Sequence, residues 1–273
     1  MPKQKKGQKR IITLYIVIRF LITLVMVRNI MIKDYNNVFM CVLSLLLLFI
    51  PTIIDKRFNI KLPSVLESII VLFIFASQIL GEIQEFYLRV PHWDTMLHTL
   101  NGFIMGAIGF AMIDILNQSP RLHFNMSPVF VAFVGFCFSM TIGVLWEFFE
   151  YFMDINTLSD MQKDTLVPLI SSVSLNPDIK NTSLAIKDIT KTVIYGTINN
   201  VETAYQIDGG YLDIGIIDTM KDLIVNCIGA LSFSVAGTFY VMGRGKFAKN
   251  FIPVMKTQEE IEHSEATEDE NTD

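Results

Sequence analysis

The stretch Trp93-Asp-Thr-Met-Leu-His98 puts a carboxylate and an imidazole four residues apart at the start of a segment that then turns wholly apolar. That spacing holds both side chains on one face of a helix. A second stretch, Asp218-Thr-Met-Lys-Asp222, does the same with two carboxylates, and Asn226 continues its face one turn further. Two more segments end in acidic pairs, Glu82 with Glu85 and Glu147 with Glu150, each three apart and followed by two aromatic residues. Ionisable groups inside apolar segments are costly and default to function. Seven carboxylates and one imidazole cannot all ionise at close range, so they must share protons, pair with Lys221 or Arg89, or bind a cation.

Hard oxygen ligands with one imidazole favour a divalent Mg, Mn, Fe or Zn ion over copper or a thiolate-type site. The pattern is analogous to di-metal carboxylate bundles, although the E-x-x-H spacing of those proteins is absent. For Asp94 and Asp218 helix capping competes, because an acidic residue gains from the dipole at a helix N-terminus. For the glutamates the dipole at a C-terminal end opposes the charge. Asn226 reads equally as a ligand-orienting amide or as an interhelical hydrogen bond. Gln78 is a candidate for the floor of the site.

The elements that must position these groups are membrane helices. The chain has 273 residues, half of them hydrophobic, in runs too long for a soluble core. The reading is all-α, a six-span transmembrane bundle, with spans over Ile11–Ile32, Asn37–Ile54, Leu62–Phe86, Trp93–Asn117, Val129–Asp154 and Ile216–Met242. Residues 1–10 form a basic N-terminus, 11–242 the bundle, and 243–273 an acidic, disordered tail. The first apolar run carries Arg19 and no small-x-small cleavage site, so it reads as a span and not as a signal peptide. Arg19 is expected to be a counter-ion of the site or a partner of Glu67 or Asp114. Cys41, Cys137 and Cys227 fall inside spans, which leaves no disulfide framework.

Lys and Arg concentrate before span 1, between spans 2 and 3, at Arg121, and at Arg244, Lys246, Lys249 and Lys256 after span 6. Positive flanks stay inside, so both termini are expected to be cytoplasmic, in the cell membrane. The acidic and His side chains then share one depth in the outer leaflet. A polar insertion, 155–215, is expected to form a small outer cap with a helix from Ser159 through Leu169 and strands around Thr192–Tyr195 and Thr203–Ile207. Its Asn181-Thr-Ser sequon has no supporting context.

Spans 3 to 6 look like a tandem repeat of two-span hairpins. Glu82 and Glu85 align with Glu147 and Glu150; Asp94-Thr-Met and His98 align with Asp218-Thr-Met and Asp222; Gly102 and Gly106 align with Asn226 and Ala230. Such repeats would be parallel about an axis along the membrane normal. The small residues are best explained by close helix approach. Spans 1 and 2 lack the motif and are expected to buttress the rest.

At Trp93, Asp94, His98, Glu147, Asp218, Thr219 and Asp222 the sequence resembles the YjdF-type family of polytopic membrane proteins, over about Glu82 to Gly229. A fainter similarity links it to VanZ-like proteins, with Thr95 in place of their lysine and Glu150 in place of their glutamine. The resemblance implies a multi-span fold with these acidic motifs and brings no settled activity.

The leading expectation is an enzyme-like cation pocket for a lipid-linked or amphiphilic envelope substrate. Glu82, Glu85, Asp94, His98, Glu147, Glu150, Asp218 and Asp222 are its candidate ligands, and His98, Asp94, Glu147 and Glu150 its candidate catalytic groups. No serine or cysteine nucleophile motif, phosphate loop or nucleotide fingerprint is present, and no nucleic-acid partner is expected. Membrane lipid is the expected partner. The alternatives are a proton- or cation-coupled secondary transporter and a non-catalytic envelope sensor or scaffold.

Overall fold

A computed structural model describes residues 2–57, 59–117, 126–178, 181–243 and 250–256. Arg121, Arg244, Lys246, Lys249 and the tail after Lys256 lie outside the described residues. In chain order the elements are α1 (Pro2–Met31), α2 (Tyr35–Leu47), α3 (Ile50–Arg57), β1 (Ile60–Lys61), α4 (Ser64–Ile74), a π-helix (Phe75–Ile83), α5 (Phe86–Arg89), α6 (Trp93–Asn117) and α7 (Pro128–Thr157). Then come β2 (Leu166–Val167), β3 (Ile170–Ser172), a 3-10 turn (Val173–Leu175), β4 (Leu184–Ile186), β5 (Lys191–Ile198), β6 (Val201–Asp208), β7 (Tyr211–Leu212), α8 (Ile216–Val241) and β8 (Val254–Met255). Among the described residues six helical segments are long and apolar enough to cross a membrane: Lys9–Met31, Tyr35–Arg57, Ser64–Ile83, Trp93–Asn117, Pro128–Thr157 and Ile216–Val241. These are the six spans expected, with bounds shifted by a few residues. The fold is a multi-pass helical bundle.

The chain divides into two compact units, 1–144 with 222–273, and 145–221. In the first, the spans sort into two groups. Ile18 and Ile22 of α1, Cys41 of α2, Leu48, Val71 and Ile74 of α4, and Ile79 of the π-helix form one buried cluster. Ala107, Phe110 and Ala111 of α6, Val131 and Ala132 of α7, and Phe233 of α8 form another. Leu62, Leu66 and Ile104 join them. Span 3 therefore packs with spans 1 and 2, and not only with the hairpin to which the repeat assigns it.

The second group is closed by small residues. A methyl built on Gly102 would overlap the carbonyl oxygen of Asn226, and one on Gly229 would overlap that of Thr99. Such a methyl on Gly135 would stand 2.8 Å from the Phe110 nitrogen, and on Gly109 2.7 Å from the Phe138 Cβ. Backbone meets backbone here, which is how apolar helices gain packing when lipid supplies no hydrophobic drive between them. His98 faces Asp222, Gly102 faces Asn226 and Gly106 faces Ala230, a constant offset that makes α6 and α8 run in the same direction. Gly109 against Phe138 and Gly135 against Phe110 make α7 antiparallel to α6.

Residues 250–256, expected to belong to the disordered tail, are folded. Phe251 and Ile252 are buried in the core between α6, α7 and α8. β8 pairs antiparallel with β1, the Lys256 amide donates to the Asn59 carbonyl at 2.8 Å, and the Lys256 ammonium meets Asp55 at 2.8 Å. Phe251 is as apolar as any core residue, and the strand pairing satisfies backbone that burial would otherwise leave unpaired.

Within 145–221, Leu158 at φ 54° ends α7. The helix expected from Ser159 through Leu169 is not formed. Carboxylates claim its amides instead: Asp154 accepts from Met161 (2.7 Å) and Gln162 (2.9 Å), Asp218 from Lys163 (2.8 Å), and Asp213 from Thr165 (2.7 Å). Side chains offering the backbone such partners compete with helix. The two strands expected are present and longer, as β5 and β6. They are joined by Asn199–Asn200, both at positive φ (50° and 63°), the two-residue turn whose twist matches a hairpin. β2 pairs with β7 and β3 with β4.

Candidate metal centre

Asp94 and His98 come from the first two turns of α6. Val90, Pro91 and His92, the last at φ 61°, redirect the chain, and Phe86 packs edge-on against Trp93 at 5.0 Å to fix where the helix begins. The acidic Asp94 then lies in the first turn, where the helix dipole favours it. Asp222 comes from the second turn of α8 and sits on the face of that helix turned to α6. The His98 Nε2 is 3.4 Å from Asp94 Oδ1 and 4.0 Å from Asp222 Oδ2. One ligating atom of each residue lies within 4.8 Å of those of the other two. Side-chain exposure falls from 33% at Asp94 to 12% at His98 and 5% at Asp222, so the group reaches from a partly open rim to a buried floor.

Asn226 lies one turn further along α8 and is fully buried. Its Oδ1 accepts from Asn101 Nδ2 at 3.1 Å, and its Nδ2 donates to the Ser139 carbonyl at 3.4 Å. Ser139 Oγ in turn donates to the Gly102 carbonyl at 2.8 Å. Asn226 is therefore the interhelical tie, and it fixes the register of α6, α7 and α8 one turn from the Asp–His–Asp group. Gly143 leaves the room it needs, since a methyl there would lie 2.7 Å from Asn226 Nδ2.

Two turns past Asn226, at Phe233, the character changes. Phe103 and Phe233 meet edge-to-face at 5.2 Å, Phe103 and Phe251 at 5.2 Å, and Phe110 and Phe233 at 5.8 Å. Aromatic rings dominate here, beside the buried Ser234, whose hydroxyl donates to the Ala132 carbonyl at 3.2 Å.

The remaining predicted ligands are placed as follows. Glu82 is half-buried in the π-helix, where Gln84 donates to the Ile79 carbonyl five residues back at 3.0 Å. Glu85 takes φ 59° and pairs at the surface with Arg89. The positive-φ residue breaks the helix between the two glutamates, so the three-residue spacing does not put them on one face. The structure does not bring Glu85 to Asp94, His98 and Asp222. Asp218, Glu147 and Glu150 belong to the unit 145–221. There Asp218 accepts the Lys163 amide, beside a Gln162–Thr219 side-chain hydrogen bond at 2.6 Å. Glu147 and Glu150 are buried three residues apart on the unbroken α7, and Glu150 accepts from the Trp146 indole at 2.9 Å. Arg19 lies with its guanidinium 5.4 Å from the Tyr15 ring and 4.9 Å from the Phe49 ring.

Sequence reasoning passed over Asn101 and Ser139, which hold Asn226. Asn101 sits three residues after His98, on the same helix face, and that spacing was the available signal. It also passed over Asp213, which is buried and whose carboxylate accepts from Thr165, Gly215 (3.3 Å) and Ile217 (2.8 Å). Burial works against its charge, but those backbone donors together outweigh it and hold its carboxyl below the usual range.

Six helices long and apolar enough to cross a membrane define a polytopic helical membrane protein. Residues 12–175, more than half of the chain, match the family described as predicted membrane protein (DUF2238), and the chain belongs to that family. It is similar to an uncharacterized protein of Thermotoga maritima, 27% identical over 128 residues, which are 45% of this chain and 63% of the relative. The match thus spans less than two thirds of that relative's length. No solved structure matches the chain.

Proposed function

We propose that this protein is a multi-pass protein of the cell membrane, with both termini cytoplasmic, that holds a divalent cation between Asp94, His98 and Asp222. The observation that carries the reading is the meeting of these three side chains, from two helices, within 4.8 Å. Bonds of about 2.0–2.2 Å to imidazole and carboxylate set neighbouring ligands roughly 3–3.5 Å apart in tetrahedral or octahedral geometry. The His98–Asp94 separation of 3.4 Å fits as it stands, and the His98–Asp222 separation of 4.0 Å closes with a small rotamer change. Two carboxylate oxygens and one nitrogen suit Mg, Mn, Fe or Zn. Three protein ligands leave positions open, as in catalytic and not structural sites. A bound cation there would act as a Lewis acid.

Asp94 stands at the partly exposed rim, the outer-leaflet end in the proposed topology, so a lipid-linked or amphiphilic substrate would reach the centre by lateral diffusion. The aromatic cluster of Phe103, Phe110, Phe233 and Phe251 narrows the polar route that a carrier needs to buried groups such as Ser234 and Asp114, which favours the pocket reading over the carrier alternative. The likeness of the Trp93–His98 and Asp218–Asp222 motifs to YjdF-type and VanZ-like proteins belongs to this proposal, as does the equivalence of the two hairpins. The facing of His98 and Asp222 supports that equivalence, and the π-helix in span 3, which α7 lacks, departs from it.

Elemental analysis of the full chain, purified in detergent without chelator and dialysed, tests the reading. About one divalent ion per chain is expected, released by Asp222→Asn and by His98→Leu. Absence of stoichiometric metal would sink the metal reading and leave shared protons as the account of the group.

A further inference from the structure

The β5–β6 hairpin is a ribbon with two unlike faces. Directly opposed residues share a face and successive ones alternate, so the pairs Thr192–Ile207, Ile194–Tyr205, Gly196–Thr203 and Ile198–Val201 lie on one side. The pairs Lys191–Asp208, Val193–Gln206, Tyr195–Ala204 and Thr197–Glu202 lie on the other. Lys191, Glu202 and Asp208, the charged residues of the two strands, all stand on the second face, and the first carries none. That charge-free face is nevertheless uncovered: Ile194, Ile198, Val201 and Tyr205 are 51%, 53%, 63% and 62% exposed. At its centre a methyl built on Gly196 meets nothing within 4 Å, so even the Tyr205 ring, diagonal to it across the strands, leaves an open notch.

A two-stranded ribbon is marginal in water on its own and gains from a covering surface. Three kinds of cover compete. The bilayer suits the apolar side chains, but among the described residues the sheet has two strands, β5 and β6, and hydrocarbon would leave the outward backbone groups of both edges unsatisfied. A partner recognised through charge finds none on this face. A second copy of the same face meets neither obstacle, because no like charges are brought together and the edges stay in water. The area is sufficient. Strands of 8 residues at about 3.3 Å each make a strip roughly 26 Å long. With its side chains that strip is roughly 15 Å wide and offers on the order of 400–500 Å², or about 1,000 Å² over two copies, the lower bound for a specific interface. Copies held in one bilayer with one orientation present that face to each other at the same height, which raises their effective concentration.

We propose that this face is an interface between two copies of the chain, in which the ribbons pack face to face about a twofold axis and each copy's Tyr205 ring fills the other's Gly196 notch. A twofold contact buries the same patch on both copies. An aromatic ring laid over a strand glycine recovers the packing that the glycine forfeits.

The test is self-association of the full chain in lipid vesicles over a range of protein-to-lipid ratios, read by energy transfer between donor- and acceptor-tagged copies. Tyr205→Lys removes the ring and sets like charges against each other; it should weaken association by about tenfold or more. Tyr195→Lys, the same change on the opposite face, should leave association unchanged. The two positions are 62% and 82% exposed, so the ribbon tolerates both changes. Gly196→Val suits a strand but closes the notch, and should slow hydrogen exchange in the hairpin while weakening association. Thiol labelling of Ile198→Cys, read on the peptide containing that position so that Cys41, Cys137 and Cys227 do not contribute, should slow as protein density rises. Monomers at every density, an unaffected Tyr205→Lys variant, an equal loss in Tyr195→Lys, wild-type association of Gly196→Val, or protection at position 198 that is independent of density, as burial in the bilayer would give, would each overturn the proposal.

Discussion

Replacing Gly102 by alanine inserts one methyl where α6 and α8 touch through their backbones. Considered alone, the change should stabilise, because alanine is favoured over glycine in a helix interior by about 1 kcal/mol. The contact reverses the sign. The new methyl would overlap the Asn226 carbonyl oxygen and lie 3.0 Å from the Asn226 Cα, neither of which can rotate away. Restoring van der Waals separation parts the helices by roughly 1 Å. His98 Nε2 and Asp222 Oδ2, now 4.0 Å apart, would then stand about 5 Å apart. A cation with bonds of about 2.0–2.2 Å spans at most roughly 4.4 Å between opposite ligands, so one ligand is lost. The expected cost is about 100-fold in divalent-ion affinity, the scale of a displaced ligand support. Gly229→Ala should do the same through the Thr99 carbonyl. Gly106→Ala is the control, since its methyl would meet Phe233 Cβ at 3.4 Å, an ordinary contact; it should keep the ion and gain slightly in thermal stability. Isothermal titration with Mn or Zn, alongside melting of each variant, makes the comparison. Gly102→Ala binding as tightly as wild type would refute the argument that this crossing sets the site.

Asp213→Asn should speed hydrogen exchange at the Thr165 and Ile217 amides by the equivalent of about 1–3 kcal/mol. Because the folded carboxyl is held below its ordinary value, its stabilisation is present above the unfolded pKa and lost as pH falls through the folded one; wild-type protection should therefore fall in acid below the usual carboxylate range, and equal acid sensitivity in the variant would contradict the assignment. Phe251→Ala should cost about 3–5 kcal/mol of stability while leaving ion content unchanged, read by melting and elemental analysis together; loss of the ion would mean that the folded 250–256 segment supports the centre directly. Single cysteines near Arg121 should resist an impermeant thiol reagent in intact cells, and one at Asn176 should react; the reverse labelling would put the cluster on the cytoplasmic side.

The sequence alone determined the spans, because the length and polarity of an apolar run are local properties that a bilayer reads directly. It also determined the Asp94–His98 pair, since four residues on a continuous helix fix a face, and the existence of strands β5 and β6, whose alternation is local; their pairing through Asn199–Asn200 came from the structure. The same logic failed for Glu82 and Glu85, where a π-helix and a positive-φ residue abolish the period that the spacing assumed. It failed for Ser159–Leu169, where Asp154 nearby and Asp213 and Asp218 distant in sequence take the amides, and for 250–256, which fold because α6, α7 and α8 offer Phe251 an apolar seat. That Asp222 and not Glu85 meets His98 was decided by tertiary packing. Gly102 and Gly229 let two parallel helices touch, Asn226 locks their register, and neither fact can be read from one helix without its neighbour.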